Sequence, residues 1–133
     1  MKPSIDDVLK ALQESWSLES TEEPENWTPS NPSRGQCGIS SLIINDYFGG
    51  KLVLWKVFLR GEQVGFHYSN ELTNGTPFDS TGDQFWESEE LKDPSSFERP
   101  EKPPKNGADR YLNLSNLVRS KLENYRAEAE VVT

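Results

Sequence analysis

The chain has 133 residues, a formal charge of −8 and 33% apolar residues, which fits one domain with a modest core. Four Trp, six Phe and four Tyr supply part of the missing apolar area. So acidic a chain excludes nucleic acid and anionic membrane as principal partners, because both recruit clustered Lys and Arg.

A single cysteine rules out an internal disulfide framework and points to a reducing compartment. The start, Met1 to Asp7, carries early acids and no apolar signal core. No apolar run approaches membrane-spanning length, so a cytoplasmic protein is expected. One Cys and one His are too few for a structural zinc site, and no acidic loop has calcium-binding spacing. Neither a metal nor a cofactor is expected, and no internal repeat or sign of an oligomeric state is present.

Ser4, with Asp7 three residues on, forms a capping box ahead of Ile5, Val8, Leu9, Leu12 and Trp16, which recur at helical spacing. From about Ser17 to Arg34 the chain reads as an irregular connection, broken by Pro24, Pro29 and Pro32 and anchored by Trp27. A second helix is predicted from Cys37 to Phe48, closed by Gly49-Gly50. It is apolar on two sides, with Ile39, Leu42 and Ile43 on one and Cys37, Ser41, Ile44 and Phe48 on the other. A helix patterned that way lies between neighbours.

Leu52 to Leu59 is predicted as a central strand, Gly61 as a turn, and Val64 to Leu72 as a second strand. Asn74-Gly75 then signals a hairpin into Thr76 to Thr81. A two-residue loop would pair Asp79 with Asn70; a three-residue loop, with Gly75 left-handed, pairs it with Ser69. The second register puts Asp79 one diagonal step from His67, and it is the one expected.

From about Trp86 to Gly107, with Pro94, Pro100, Pro103 and Pro104, a long acidic surface loop is predicted. A last helix is predicted from Asp109 to Tyr125, its stripe of Tyr111, Leu114, Val118, Leu122 and Tyr125 docking on the sheet. The tail beyond Arg126 is expected to fray. The single domain thus divides into a helix and connection (1–30), a core (31–86), an acidic proline-rich loop (87–108) and a closing helix (109–126).

Cys37, His67 and Asp79 are the parts of a nucleophilic site. A helix start lends positive partial charge to a thiolate, His67 can take the thiol proton, and Asp79 can orient the imidazole. Asn70 is the alternative orienter, with Glu71 and Asp83 as weaker ones. The Cys37 backbone N–H, assisted by the Gln36 amide or the Trp27 indole, can receive an oxyanion, and Gly38 leaves room beside the sulfur. Each residue also has an ordinary reading. A lone Cys packs as a small apolar residue, a strand His is satisfied in the core, and an Asp past a hairpin caps a turn.

Gly35-Gln36-Cys37 is similar to the Gly-Gln-Cys of transglutaminases, and a later His followed by Asp79-x-Thr81 resembles their order within the papain-like superfamily. That likeness spans about Pro32 to Phe85, with Gly38 standing where transglutaminases carry Trp. Over nearly its whole length the chain resembles the YunG-like family of small bacterial proteins. The shared pattern runs Asn31-Pro32-Ser33-x-Gly35-Gln36-Cys37, Gly49-Gly50, His67-Tyr68-x-Asn70, Asn74-Gly75 and Asp79-x-Thr81-x-x-Gln84-Phe85, with Ser69 and Ser80 as departures. These resemblances imply an α+β, papain-like or transglutaminase-like domain. Its central Cys-bearing helix would pack on a small antiparallel sheet between flanking terminal helices. The function expected is thiol-dependent acyl chemistry on a peptide or amide. The competing expectations are a non-catalytic acidic binding or adaptor domain on the same scaffold, and a peroxide-sensing thiol that lacks a resolving Cys.

Overall fold

The computed structural model describes residues 3–102 and 107–132. In chain order it comprises α1 (Ile5–Ser15), α2 (Cys37–Phe48), β1 (Lys51–Leu59), β2 (Glu62–Glu71), β3 (Pro77–Phe78), a 3₁₀ turn (Gly82–Gln84), β4 (Glu89–Phe97) and α3 (Ala108–Val132). The architecture is α+β, with three helices and one antiparallel sheet of order β3-β2-β1-β4.

α1 starts at the capping box, with Ser4 Oγ accepting from the Asp7 N–H at 3.1 Å. Its buried face, Val8, Ala11 and Leu12, meets Ile39, Ile43 and Ile44 of α2. Trp16 crowns that contact, its indole N–H donating to Ser40 Oγ at 2.9 Å, so the buried polar atom is satisfied. On another side of α2, the Ser41 carbonyl accepts from Asn70 Nδ2 of β2 at 2.9 Å. Burial on two sides is what the sequence pattern of α2 predicts. Cys37 opens this helix.

β1 and β2 join through Arg60-Gly61, both at positive φ, which suits the twist of a tight hairpin. The next hairpin uses three residues, Thr73 to Gly75. Leu72 N–H donates to Thr76 O at 2.9 Å, Gly75 N–H to Leu72 O at 2.8 Å, and Gly75 has φ 84°. Asn70 therefore pairs with Phe78. Extended by one residue, that register sets Asp79 against Ser69.

Three expectations are corrected. The acidic segment after Trp86 is not a loop throughout, since β4 pairs antiparallel with β1. Its sequence carries no strand pattern, because an edge strand is held by its backbone ladder and leaves most side chains in water. Pro94 is tolerated because Asp93-Pro94 bulges opposite Trp55, with Asp93 at φ 55°. Pro103 and Pro104 lie outside the described residues. Second, α3 docks on α1 and α2 rather than the sheet, through fully buried Leu114 and Val118, with Tyr111, Leu122 and Tyr125 beside them. Third, α3 continues past Arg126 to Val132. Residues 126–132 hold no Gly or Pro, and Arg126 pairs with Glu130 one turn on at 3.4 Å. Among the described residues no helix is long and apolar enough to cross a membrane.

Helix-on-helix docking of α3 makes a contrast between two leucines. Leu114→Ala should cost ~2–5 kcal/mol in urea denaturation, as a cavity forms between helices. Leu112→Ala, at a side chain 54% exposed, should stay within ~0.5 kcal/mol. Equal effects would refute the docking.

Candidate active site

The site is assembled by three segments that strap together the start of α2 and the end of the β2–β3 hairpin. In the first strap, Asn31 Nδ2 donates to the Gln84 carbonyl at 2.9 Å, and Ser33 Oγ to Asp83 Oδ1 at 2.7 Å. The second is the connection before it: Thr21 Oγ1 donates to Arg34 O at 2.7 Å, and Glu22 N–H to Gly35 O at 3.0 Å. Gly35 is required by this crossing. It sits at φ 76°, and a Cβ there would lie 2.2 Å from Thr21 Oγ1. The third is Gln84 itself, whose Oε1 accepts from the Gly35 N–H at 3.1 Å.

Cys37 emerges from these straps as the first residue of α2. Gln36, at the N-cap, supplies no side-chain cap, so the first-turn amides of Cys37 and Gly38 keep no partner within the helix. His67 is fully buried. Its Nε2 donates to Asp79 Oδ2 at 2.7 Å, and Asp79 Oδ1 accepts from the Thr81 N–H at 3.1 Å, which fixes the carboxylate. Phe85 stands edge-on to the imidazole with centroids 4.7 Å apart, restraining its tilt. Cys37 interacts with the same ring. With Nε2 committed to Asp79, Nδ1 is the ring nitrogen left to the thiol.

Burial alone would lower the imidazole pKa. The hydrogen bonds from Asp79 and Cys37, with their charges, outweigh it and push His67 from the usual 6.5 up to about 9. A cavity of about 310 Å³ opens at this point, reaching Cys37 and bounded by Gln84, Phe85, Phe66 and Arg34. Cys37 lines this cavity and is 8% exposed. Arg34 is held on the wall by Glu89 at 2.6 Å and Glu23 at 3.2 Å and lies 4.1 Å from the Trp86 ring centre. Glu22 touches water at the mouth, yet crowding by protein raises its carboxyl above the usual range, Arg110 opposing and Glu23 adding to the effect. Its Oε1 would be 3.0 Å from a Cβ on Gly38, so a bulky residue there would need Glu22 to move.

Of the residues singled out from sequence, Cys37, His67 and Asp79 come together here. The others face elsewhere. Asn70 gives its amide N–H to Ser41 and does not bond His67. Trp27 donates its indole N–H to Pro32 O at 2.9 Å, leaving none for an oxyanion at Cys37. Gln36 is fully buried with Nε2 on Ser17 O at 3.1 Å. Glu71 and Asp83 accept from Ser96 and Ser33. Sequence reasoning passed over Gln84, Phe85, Glu22 and Arg34 as site residues. The spacing Asp79-x-Thr81-x-x-Gln84-Phe85 was the available signal for two of them: a turn and a short 3₁₀ helix return Gln84 and Phe85 to the ring. Among the described residues no group of three or more His, Cys, Asp or Glu could hold a metal ion.

A family model for the YunG protein matches residues 4–123. The chain belongs to the YunG family. It is 36% identical over 81 residues to the "Uncharacterized protein YunG" of Bacillus subtilis (strain 168), an alignment covering 61% of this chain and 63% of that YunG protein. The match therefore spans less than two thirds of that relative's length. No solved structure matches the chain.

The His67 environment sets a pH dependence with a definite sign. A folded-state pKa of about 9, above the usual 6.5, contributes stability that is complete below about pH 6.5 and is lost as pH rises through about 9. The melting temperature should fall across that window, and Asp79→Asn should flatten the fall by removing the imidazolium's carboxylate. A slope unchanged in Asp79→Asn would sink this assignment.

Proposed function

We propose that the protein carries out thiol-dependent acyl chemistry on a peptide or amide, using Cys37, His67 and Asp79 on a papain-like or transglutaminase-like version of the α+β fold. The observation that supports it is the environment of the imidazole: Asp79 on one nitrogen at 2.7 Å, Cys37 near enough to act on the ring's charge, and an open cavity that reaches Cys37. A core histidine satisfied for packing alone needs neither a carboxylate partner nor a thiol facing a cavity.

His67 takes the Cys37 proton, leaving a thiolate at the uncapped start of α2. The sulfur attacks the acyl carbon, and the oxyanion that develops is received by the backbone N–H groups of Cys37 and Gly38. Neither the Trp27 indole nor the Gln36 amide is needed. As the C–N bond breaks, the imidazolium returns its proton to the departing amine, leaving a thioester on Cys37. Water or a second amine then attacks that thioester, its proton passing to His67, and the thiolate leaves. Asp79 holds the ring in the required tautomer throughout.

Alkylation by iodoacetamide against pH tests the first step. Cys37 should react rapidly near pH 6, and His67→Ala should slow it there by ~10²-fold, because an ordinary thiol of pKa ~8.5 is almost wholly protonated at that pH. A panel of amide and ester substrates should then yield an acyl adduct on Cys37 by intact-mass measurement. A reaction that rises only near pH 8.5 and ignores His67→Ala would leave a non-catalytic acidic binding domain.

A further inference from the structure

Gln84 bonds both the segment that leads into Cys37 and the imidazole of His67. It is 2% exposed. Oε1 accepts from the Gly35 N–H, two residues before the nucleophile. Nε2 donates to Thr81 Oγ1 at 2.9 Å and, with its second proton, to His67 Nδ1 at 3.3 Å. The amide cannot turn over without placing its oxygen against the imidazole lone pair and its N–H against the Gly35 N–H. Its orientation is therefore set by the network.

Nδ1 is also the nitrogen left to the Cys37 thiol, since Nε2 is bonded to Asp79. In the neutral ring Nδ1 is an acceptor, and the Gln84 N–H fits it. In the imidazolium Nδ1 is itself a donor to the thiolate, and the Gln84 N–H meets another N–H. We propose that Gln84 is a positioning residue that sets the proton balance between Cys37 and His67, by donating to the nitrogen the thiol needs. This rests on the reading of Cys37 as nucleophile and His67 as base. By stabilising the neutral ring, Gln84 opposes Asp79, which stabilises the charged one. Opposed in this way, the pair keeps a base able to release its proton to the leaving group instead of holding it permanently. The other charged or titratable groups facing the pair are Glu22 at the mouth, Arg34 with Glu23 and Glu89 on the wall, and the Tyr68 phenol, raised by burial and then by Cys37 and Glu22. None of them bonds Nδ1 among the described residues.

His67 is the only histidine in the chain, so its imidazole NMR signals can be titrated without ambiguity. Gln84→Met removes the donor at similar volume and should move the His67 midpoint up by ~0.5–1 pH unit, the worth of one neutral hydrogen bond. Gln84→Glu keeps an oxygen for the Gly35 N–H, replaces the donor with an anion, and should move the midpoint up further. Local disorder would act the other way, carrying the midpoint from about 9 down toward 6.5. A midpoint that stays or falls in either folded variant overturns the proposal, and Gln84→Glu alone decides if the Met variant does not fold. In the wild type above the transition, a neutral ring protonated on Nδ1 would also overturn it. Cys37 alkylation separates the two readings. An unmoved midpoint with His67-dependent alkylation removes the Gln84 role and leaves the acyl chemistry. A raised midpoint with ordinary alkylation does the reverse.

Discussion

The site depends on the register of one short hairpin. Side chains alternate along a strand with period two, so a slip of a single residue would carry Asp79 to the side of the strand away from His67. β3 contributes only Pro77 and Phe78 to the sheet, too short a ladder to hold a register alone. Two local features hold it. Gly75 accepts the left-handed conformation that a three-residue loop requires, and Asp79 is tied at both oxygens, to His67 and to the Thr81 N–H. The contact that the proposed chemistry needs is thus also the contact that fixes the strand pairing.

The molecule separates stability from geometry. Its apolar core is largely a helical layer, where α1, α2 and α3 bury Val8, Leu12, Ile43, Ile44, Leu114 and Val118. The other end of α2 is packed with buried polar groups: Ser33, Gln36, His67, Asn70, Thr81 and Gln84. Polar groups cost free energy to bury unless bonded, and among the described residues Gln36 Oε1, Asn70 Oδ1 and Arg34 Nε have no hydrogen-bond partner. A network of this kind adds little net stability, but it admits few alternative arrangements. The helical layer offsets its cost, and α2 belongs to both regions.

Some of this was legible in the residues. The capping box at Ser4, the two-sided pattern of α2 and the Gly75 loop each rest on interactions within a few positions of one another, where spacing along the chain is nearly spacing in space. β4 was not legible. Its residues read as a loop because an edge strand draws its order from hydrogen bonds to β1, which no local pattern records. The same limit applied to α3, whose apolar stripe showed a buried face without naming the surface that receives it.

For the site, the chain alone determined the cast: a single thiol, a single imidazole and a carboxylate held by a short turn, in an order that nucleophilic chemistry can use. Tertiary structure decided the partners. Trp27 and Asn70 have the right groups, but nearby carbonyls at Pro32 and Ser41 claim their donors. Gln84 reaches Nδ1 only because the Asn31-to-Gly35 strap and the turn after Asp79 are pulled together across some fifty residues of sequence. A donor's availability depends on which acceptor lies closest in space, and residue types along a chain do not carry that information.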